Sequence, residues 1–493
     1  MTSPPAPPDG ARVAAVVDPH FDRSLAAEPA PGIAYALLHQ GAVLHSRGIG
    51  TTTVANPSVP TADTGFRIAS MTKSFTATTV LSLRDAGLLS LDTPVVEWVP
   101  ELAGGGPDAG AITVRHLLTM GAGFVTDDPW GDRQQALPVA EFRVLLQRGV
   151  VPVTKPGDRF EYSNTGYAIL GLVIEAVSGL AYPDAVRRRV LEPLGLGSTG
   201  FSAASVADMA TGYVKRSDGW AEEPVAGVGA FAPMGGGIST ISDLATWVGF
   251  LGRGTGGSVV SSVSLREMQR TQRLVAGAAS DAGDAPTVTG YGFGLFEELG
   301  PRGRTVFHSG GYPGFGSHMR WHPASGLGII ALANGTYAPI YSVAAKALSD
   351  VVQQLGEETI TPLPPLAGLD AAAAVVSDWL GASDPDGPEG RALRARWSDN
   401  VELDLPWRER LQALDHLQRE HGRLREMPDS RERTEAGTTT WTMEGDRKVT
   451  DAHGVRQVVR VIVMVAPHDT TMIQSVTLRA VADTPRPATV SLS

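Results

Sequence analysis

The chain has 493 residues, 42% hydrophobic and 19% charged, the balance of a globular protein too long for one compact core. Its 41 basic and 52 acidic side chains leave a formal charge of −11, a field that repels phosphate backbones and argues against nucleic-acid binding. There is no cysteine, which excludes thiol catalysis, disulfides and thiolate metal sites.

The proline-rich start, MTSPPAPPDGARVAAVV, predicts disorder over residues 1–14. It lacks a basic segment followed by an apolar core, and no apolar run of about 18 residues occurs anywhere. No membrane span is expected, and a cytoplasmic location follows as an expectation. Residues 33–50, IAYALLHQGAVLHSRGIG, alternate around Gln40-Gly41 and predict a β-hairpin. A helix is expected over 70–86, ended by Gly87. From about 90 to 290 the chain is mainly helical, as in TVRHLLTM, AEFRVLLQRGV, YAILGLVIEAVSG and ISDLATWVGFLG, each with a 3.6-residue apolar period. From 291 strands return (YGFGLFEEL, TVFHSGG, GSHMRWHP, GLGIIALAN) as an antiparallel meander. One sheet assembled from both ends of residues 15–355 would have the helical middle over one face and as a second lobe, with a site in the groove between them. After a helix near 341–355, GEETITPLPPLAGLD reads as a linker over 356–367. Residues 368–493 read as a separate accessory α+β unit, with helices near 369–380 and 406–424 and then strand-like runs; no motif assigns its role.

Lysine usage sharpens the search for chemistry. Only five lysines occur (73, 155, 215, 346 and 448), so 36 of the 41 basic residues are arginine. Lysine, unlike arginine, can be deprotonated by burial. Lys73 alone has a serine three residues before it, and in a helix Ser70 and Lys73 share one face. A desolvated amine can take the serine proton, and a helix N-terminus favours a developing oxyanion. A solvated helix would also produce such a pair, so it needs company. Tyr162-Ser163-Asn164 supplies it, just ahead of a strongly apolar helix. A phenol beside an ammonium can be held as phenolate or relay a proton, and Asn164 offers a donor and an acceptor. Capping the next helix is the competing explanation for Ser163 or Asn164. His308-Ser309-Gly310-Gly311 then puts a titratable ring beside a glycine-rich strand that a substrate can approach. The N–H of Gly311, with that of Ser70, is a natural oxyanion pair. The second His-x-Gly, at His39, sits in the hairpin turn, where Gly41 has a structural explanation.

Taken together, the motifs resemble the serine β-lactamase and penicillin-binding-protein superfamily. They are most similar to its class-C-like branch of D-aminopeptidases, D-Ala-D-Ala carboxypeptidases and family VIII esterases. FRIASMTKSFTA, ITVRHLLTM, PGDRFEYSNTGYAILG, LEPLGLGSTGF, MGGGISTISDLATW and FHSGGYPGFGSHMRWHP carry the resemblance across residues 15–355. It implies an α/β (α+β) fold: a β-lactamase/transpeptidase-like antiparallel sheet flanked by helices, with a helical lobe. It also implies acylation of Ser70, with Lys73 and Tyr162 as the base/acid pair. Asn164, His308, Gly310 and Gly311 would line the substrate site. Neither cofactor nor metal is expected, and the partner is a small-molecule ester, amide or peptide. No motif sets an oligomeric state. A penicillin-binding sensor or scaffold without turnover, or an acyltransferase, would use the same residues.

The chain departs from β-lactamases of this branch in having His308 where they carry lysine. A histidine only partly charged at neutral pH pairs poorly with a substrate carboxylate, which favours esters, amides or D-amino-acid peptides over antibiotics. Met120 and Ala122 stand where relatives often have His and Ser, and are expected to affect packing alone. His318, Arg320 and His322 read as a solvated sheet face without an acidic neighbour. Asp127-Asp128 and Glu222-Glu223 read as loop acids without metal-ligand spacing, and Gly235-Gly236-Gly237 as tight backbone packing.

Overall fold

The computed structural model describes residues 8–254, 257, 259–276, 287–300, 302–355 and 367–483, apart from 429, 436, 451–453 and 468. Contacts divide the chain into two units at Thr361/Pro362. The predicted linker falls almost wholly on residues 356–366, outside those described.

Helix α1, Gly10–Ala26, opens the first unit. Residues 10–14, expected to be disordered, are therefore its first turns, while residues 1–7 lie outside the described range. Val13, Val17 and Phe21, four apart, form an apolar stripe that is fully buried, and this periodicity outweighs the proline-rich lead-in. The predicted hairpin is present as β1, Gly32–His39, and β2, Ala42–Gly50. The meander begins earlier than expected, within the stretch read as mainly helical, and YGFGLFEEL is divided by residues 292–295 between two strands. It runs β3 (Arg273–Leu274), β4 (Val288–Tyr291), β5 (Phe296–Gly300), β6 (Gly303–Tyr312), β7 (Phe315–His322) and β8 (Leu327–Ala333). All join one antiparallel eight-stranded sheet, ordered β2-β1-β8-β7-β6-β5-β4-β3. The first and last strands of the domain meet where Ile33 pairs with Ala333 and His39 with Leu327.

Every residue of β1, β7 and β8 is buried, so the sheet centre is covered on both faces. Ile33, Tyr35 and Leu37 enter one core with α1 and a C-terminal helix, Ile340–Leu355. Ala34, Ala36 and Leu38 enter the other, which continues into the helical lobe. Side-chain period two thus divides one apolar run between two cores.

His318, Arg320 and His322 do not make a solvated face. They are 0%, 1% and 2% exposed. His318 Nδ1 bonds Ser309 Oγ at 2.9 Å, and His322 is held by Ser325 Oγ and the Arg302 carbonyl. Arg320 donates to Glu298 at 3.1 Å and lies 4.0 Å over the Phe307 ring. The acidic partner, absent from the local sequence, comes from β5.

The second unit, described by itself, has helices Ala367–Gly381 and Trp407–His421 against a six-stranded antiparallel sheet whose longest strands are Arg456–Val465 and Ile473–Ala482. Trp379, Trp407, Trp441 and the alternating Val459, Val461 and Val463 form its core.

The hairpin turn gives a stability test. Gln40 and Gly41 both have positive φ, +51° and +83°, and a Cβ on Gly41 would sit 2.5 Å from the Gly249 Cα. Gly41→Ala should cost about 1–3 kcal/mol, read as a lower thermal midpoint; an unchanged midpoint would refute the close approach.

Candidate active site

Ser70 sits in a 3-10 turn, Ala69–Met71, that runs directly into helix α2, Thr72–Asp85. The turn is entered through Ala69 at φ +47°, a left-handed conformation costing roughly 1–3 kcal/mol for a residue with a Cβ. Residues Thr72 to Leu83 are all buried although many are threonine. Thr78 and Thr79 return their hydroxyls to the carbonyls four residues earlier, at 2.9 Å each, so a polar helix can run through the lobe centre.

Lys73, one turn after Ser70, is 0% exposed. Its Nζ donates to Ser70 Oγ at 2.9 Å, Asn164 Oδ1 at 2.7 Å and the Met234 carbonyl at 2.9 Å. Burial lowers its pKa from the ordinary 10.5 to about 8, with Asp128, Asp132 and Asp127 limiting the fall. Two of the three partners can only accept. When Lys73 loses a proton, its two remaining N–H groups fit these acceptors and its lone pair turns to Ser70, the one partner able to donate.

Asn164 opens helix α3, Asn164–Ser178, whose N-cap Ser163 accepts from Gly166 N–H at 3.3 Å. The capping explanation is therefore right for Ser163, while the Asn164 side chain serves the site. Its Nδ2 donates to Asp128 Oδ1 at 2.7 Å, which fixes Oδ1 toward Lys73. Asp127 accepts from the Asn164 and Thr165 N–H groups, at 2.7 and 2.9 Å, and from the Thr165 hydroxyl. A carboxylate at a helix N-terminus both satisfies free N–H groups and complements the dipole.

The Tyr162 ring lies 4.9 Å from Lys73 Nζ, on the same cavity as Ser70, whose hydroxyl partly offsets the rise in the phenol's pKa. Burial first, and the charges of Asp128 and Asp132 after it, hold its pKa well above the ordinary value. The site thus contains a neutral phenol: of the two states that a neighbouring ammonium allows, burial and then the nearby carboxylates disfavour the phenolate.

His308, Gly310 and Gly311 lie on β6, whose pairing with β5 ends at Phe307; beyond it the strand lines a cavity of about 540 Å³ shared with Ser70 and Tyr162. A Cβ at Gly310 would stand 2.5 Å from the Ile68 carbonyl and 2.3 Å from Ser317 Oγ, so glycine lets β6 approach the turn that carries Ser70. His308 is 1% exposed, and burial with the nearby Lys73 charge lowers its pKa to about 3. The ring is therefore neutral at physiological pH rather than partly charged. Its Nδ1 meets the Ser309 carbonyl at 2.6 Å, which makes Nδ1 the protonated nitrogen.

Every site residue named from sequence is thus gathered at one cavity or directly behind it. Asp127 and Asp128, which read as loop acids, instead hold Asn164 and the start of α3, while the Met234 carbonyl, Asp132 and Tyr337 were not legible as site groups. Asp132, 4% exposed, accepts from the Tyr337 hydroxyl at 2.8 Å. The only sequence signal was the density of acids in DDPWGD; Met234, acting through its backbone, left none. Gly235–Gly237 is tightly packed: a Cβ on Gly236 would lie 2.9 Å from the Ala232 Cα, and one on Gly237 2.7 Å from Thr72 Oγ1.

The family model described as Beta-lactamase matches residues 17–353. The chain belongs to the beta-lactamase family. It is 28% identical over 274 residues to "Penicillin-binding protein 4*" of Bacillus subtilis, covering 52% of this chain and 57% of that protein. It is 26% identical to "Protein flp" of Staphylococcus aureus, over 64% of this chain and 62% of the relative, and 32% identical to "Protein Rv1367c" of Mycobacterium tuberculosis, over 58% and 80%. The match thus spans under two thirds of the Bacillus and Staphylococcus proteins. The fold is shared with the octameric penicillin-binding protein homologue from Pyrococcus abyssi, with a TM-score of 0.62, 22% identity, and coverage of 94% of this chain and 98% of that one. Membership in this superfamily of serine β-lactamases and penicillin-binding proteins implies serine-hydrolase-type chemistry in the broad sense. Among the described residues no single helix is long and apolar enough to cross a membrane.

Asp127→Ala removes the carboxylate that binds the first two N–H groups of α3, leaving the Ser163 cap in place, and should cost about 1–2 kcal/mol, seen as a lower thermal midpoint together with slower fluorophosphonate labelling of Ser70. Labelling by a neutral fluorophosphonate should accelerate as pH rises through about 8 and then level off, because the lowered Lys73 pKa frees its lone pair above that point. A rate that keeps climbing beyond pH 10 would mean that burial does not tune Lys73.

Proposed function

We propose that the protein is a metal- and cofactor-independent serine hydrolase that cleaves an ester or amide, D-amino-acid peptides included, through an acyl-Ser70 intermediate. The observation that carries this reading is the enclosure of Lys73 by two pure acceptors and one hydroxyl. Neutral Lys73 takes the Ser70 proton as Oγ attacks the carbonyl carbon. The N–H groups of Ser70 and Gly311 receive the oxyanion at the N-terminal end of α2. Tyr162, kept protonated by its surroundings, gives its proton to the leaving oxygen or nitrogen and regains one from the Lys73 ammonium. Deacylation reverses the relay, with water delivering its proton to the same pair. Asn164 orients Lys73, and Asp128 orients Asn164. Neutral His308 offers no fixed charge to a β-lactam carboxylate, which supports esters, amides and peptides as substrates over antibiotics.

Ser70→Ala should abolish turnover of p-nitrophenyl esters and D-amino-acid amides, and Lys73→Ala should lower kcat by about a thousandfold or more with both proteins still folded. Undiminished hydrolysis by Ser70→Ala would refute the mechanism. Stable labelling of Ser70 by penicillin with no turnover of any ester or amide would instead favour the sensor.

A further inference from the structure

The cavity above Ser70 has a charge that the reaction itself does not require. Asp128 and Asp132 both line it, and neither arginine nor lysine does. Lys73 lies behind Ser70, with its N–H groups occupied. The neighbouring Arg133 is paired with Glu223 at 3.1 Å. The histidine on the cavity wall is neutral. The wall that a bound acyl group meets is therefore net negative.

Each carboxylate also has spare capacity. Asp128 receives Asn164 Nδ2 on Oδ1, and Asp132 receives the Tyr337 hydroxyl on Oδ2; among the described residues the second oxygen of each accepts no hydrogen bond. Burial and the proximity of Asp128 and Asp127 push the Asp132 pKa up to about 6, against the lowering effects of Tyr337 and Lys73. Such a carboxylate is ionised at neutral pH but lacks enough neighbouring positive charge.

A second, independent observation concerns His308. Its Nδ1 is taken by the Ser309 carbonyl, so Nε2 carries the lone pair. That Nε2 is buried, belongs to a residue on the cavity wall, and has no hydrogen-bond partner. An unmatched buried acceptor is costly and awaits a donor. Two carboxylates and one bare imidazole nitrogen, beside the rings of Tyr162, Phe296 and Tyr337, form a set of acceptors and aromatic faces suited to N–H donors carrying positive charge. Among the described residues no group of three or more His, Asp or Glu side chains is placed to hold a metal ion, so an organic cation fits better than a metal.

We infer that the substrate's acyl portion carries a protonated amine, as in an amino-acid ester or amide with a free α-ammonium, and that Asp128 and Asp132 select it. This rests on the acyl-enzyme reading above and adds substrate charge to it. An N-acylated or carboxylate-bearing acyl group would face the same wall with nothing to neutralise it.

The test compares alanine p-nitroanilides of either hand, bearing a free amine, an N-acetyl or an N-succinyl group, on the full-length protein. The free amine should have the highest kcat/KM, by about 10- to 100-fold over N-acetyl, with N-succinyl lowest. Asp132→Asn should reduce the amine-to-acetyl ratio by about tenfold, mainly through KM. Equal use of the acetylated substrate, preference for the succinylated one, or an unchanged ratio in Asp132→Asn would overturn the inference. A measurement without turnover separates it from the parent reading. Benzylammonium should protect Ser70 from fluorophosphonate labelling at a concentration where benzoate does not. Equal protection by benzoate defeats the ammonium site, whereas failure of Ser70 to label without any competitor defeats the hydrolase reading.

Discussion

The site depends on one buried amine. Lys73 has no access to water, and a buried ammonium is tolerated only when each N–H finds an acceptor. The three acceptors come from distant parts of the chain: the turn before α2, the start of α3, and the segment containing Met234. Each must be held to a few tenths of an ångström. Removing one partner of a buried, fully bonded charge costs about 3–5 kcal/mol, so the lobe's packing and its chemistry are one constraint.

The loop from Asp127 to Asp132 acts as the electrostatic organiser. Asp127 fastens α3 by its first N–H groups, Asp128 turns Asn164, and Asp132 grips Tyr337. All three raise the Lys73 pKa that burial lowers, leaving it close to physiological pH. Burial, with the charges of Asp128 and Asp132 after it, keeps the Tyr162 proton in place. Environment thus separates the two groups: an amine made easier to deprotonate stands beside a phenol made harder to deprotonate. The sheet supplies the opposite wall. β6 is anchored by β7 along His308–Tyr312 while its other edge, freed of β5, lines the cavity.

Much of this was legible in the amino-acid order. Ser70 and Lys73 are three apart on one helix, so geometry follows from helical rise alone. The Gln40-Gly41 turn and the strands after residue 291 were visible as a hairpin and a meander, though the edge strand at Arg273–Leu274 was not, and glycine at 310 marked a close backbone approach. The partners of Arg320 were not legible, because Glu298 is a neighbour only after β5, β6 and β7 pair. Nor could α1 be read through its proline-rich lead-in, since Val13, Val17 and Phe21 become informative only when a sheet is present to receive them.

What the sequence determined by itself was the set of candidate groups and the elements that carry them, because these rest on short-range spacing: serine and lysine in one turn, tyrosine and asparagine before a helix, histidine and glycines on a strand. What only the tertiary structure decided was their state. Whether Lys73 is easily deprotonated, Tyr162 protonated, His308 neutral and the cavity negative depends on burial and on charges brought together from far along the chain. Residue order does not specify those distances; folding does, and pKa follows distance and desolvation.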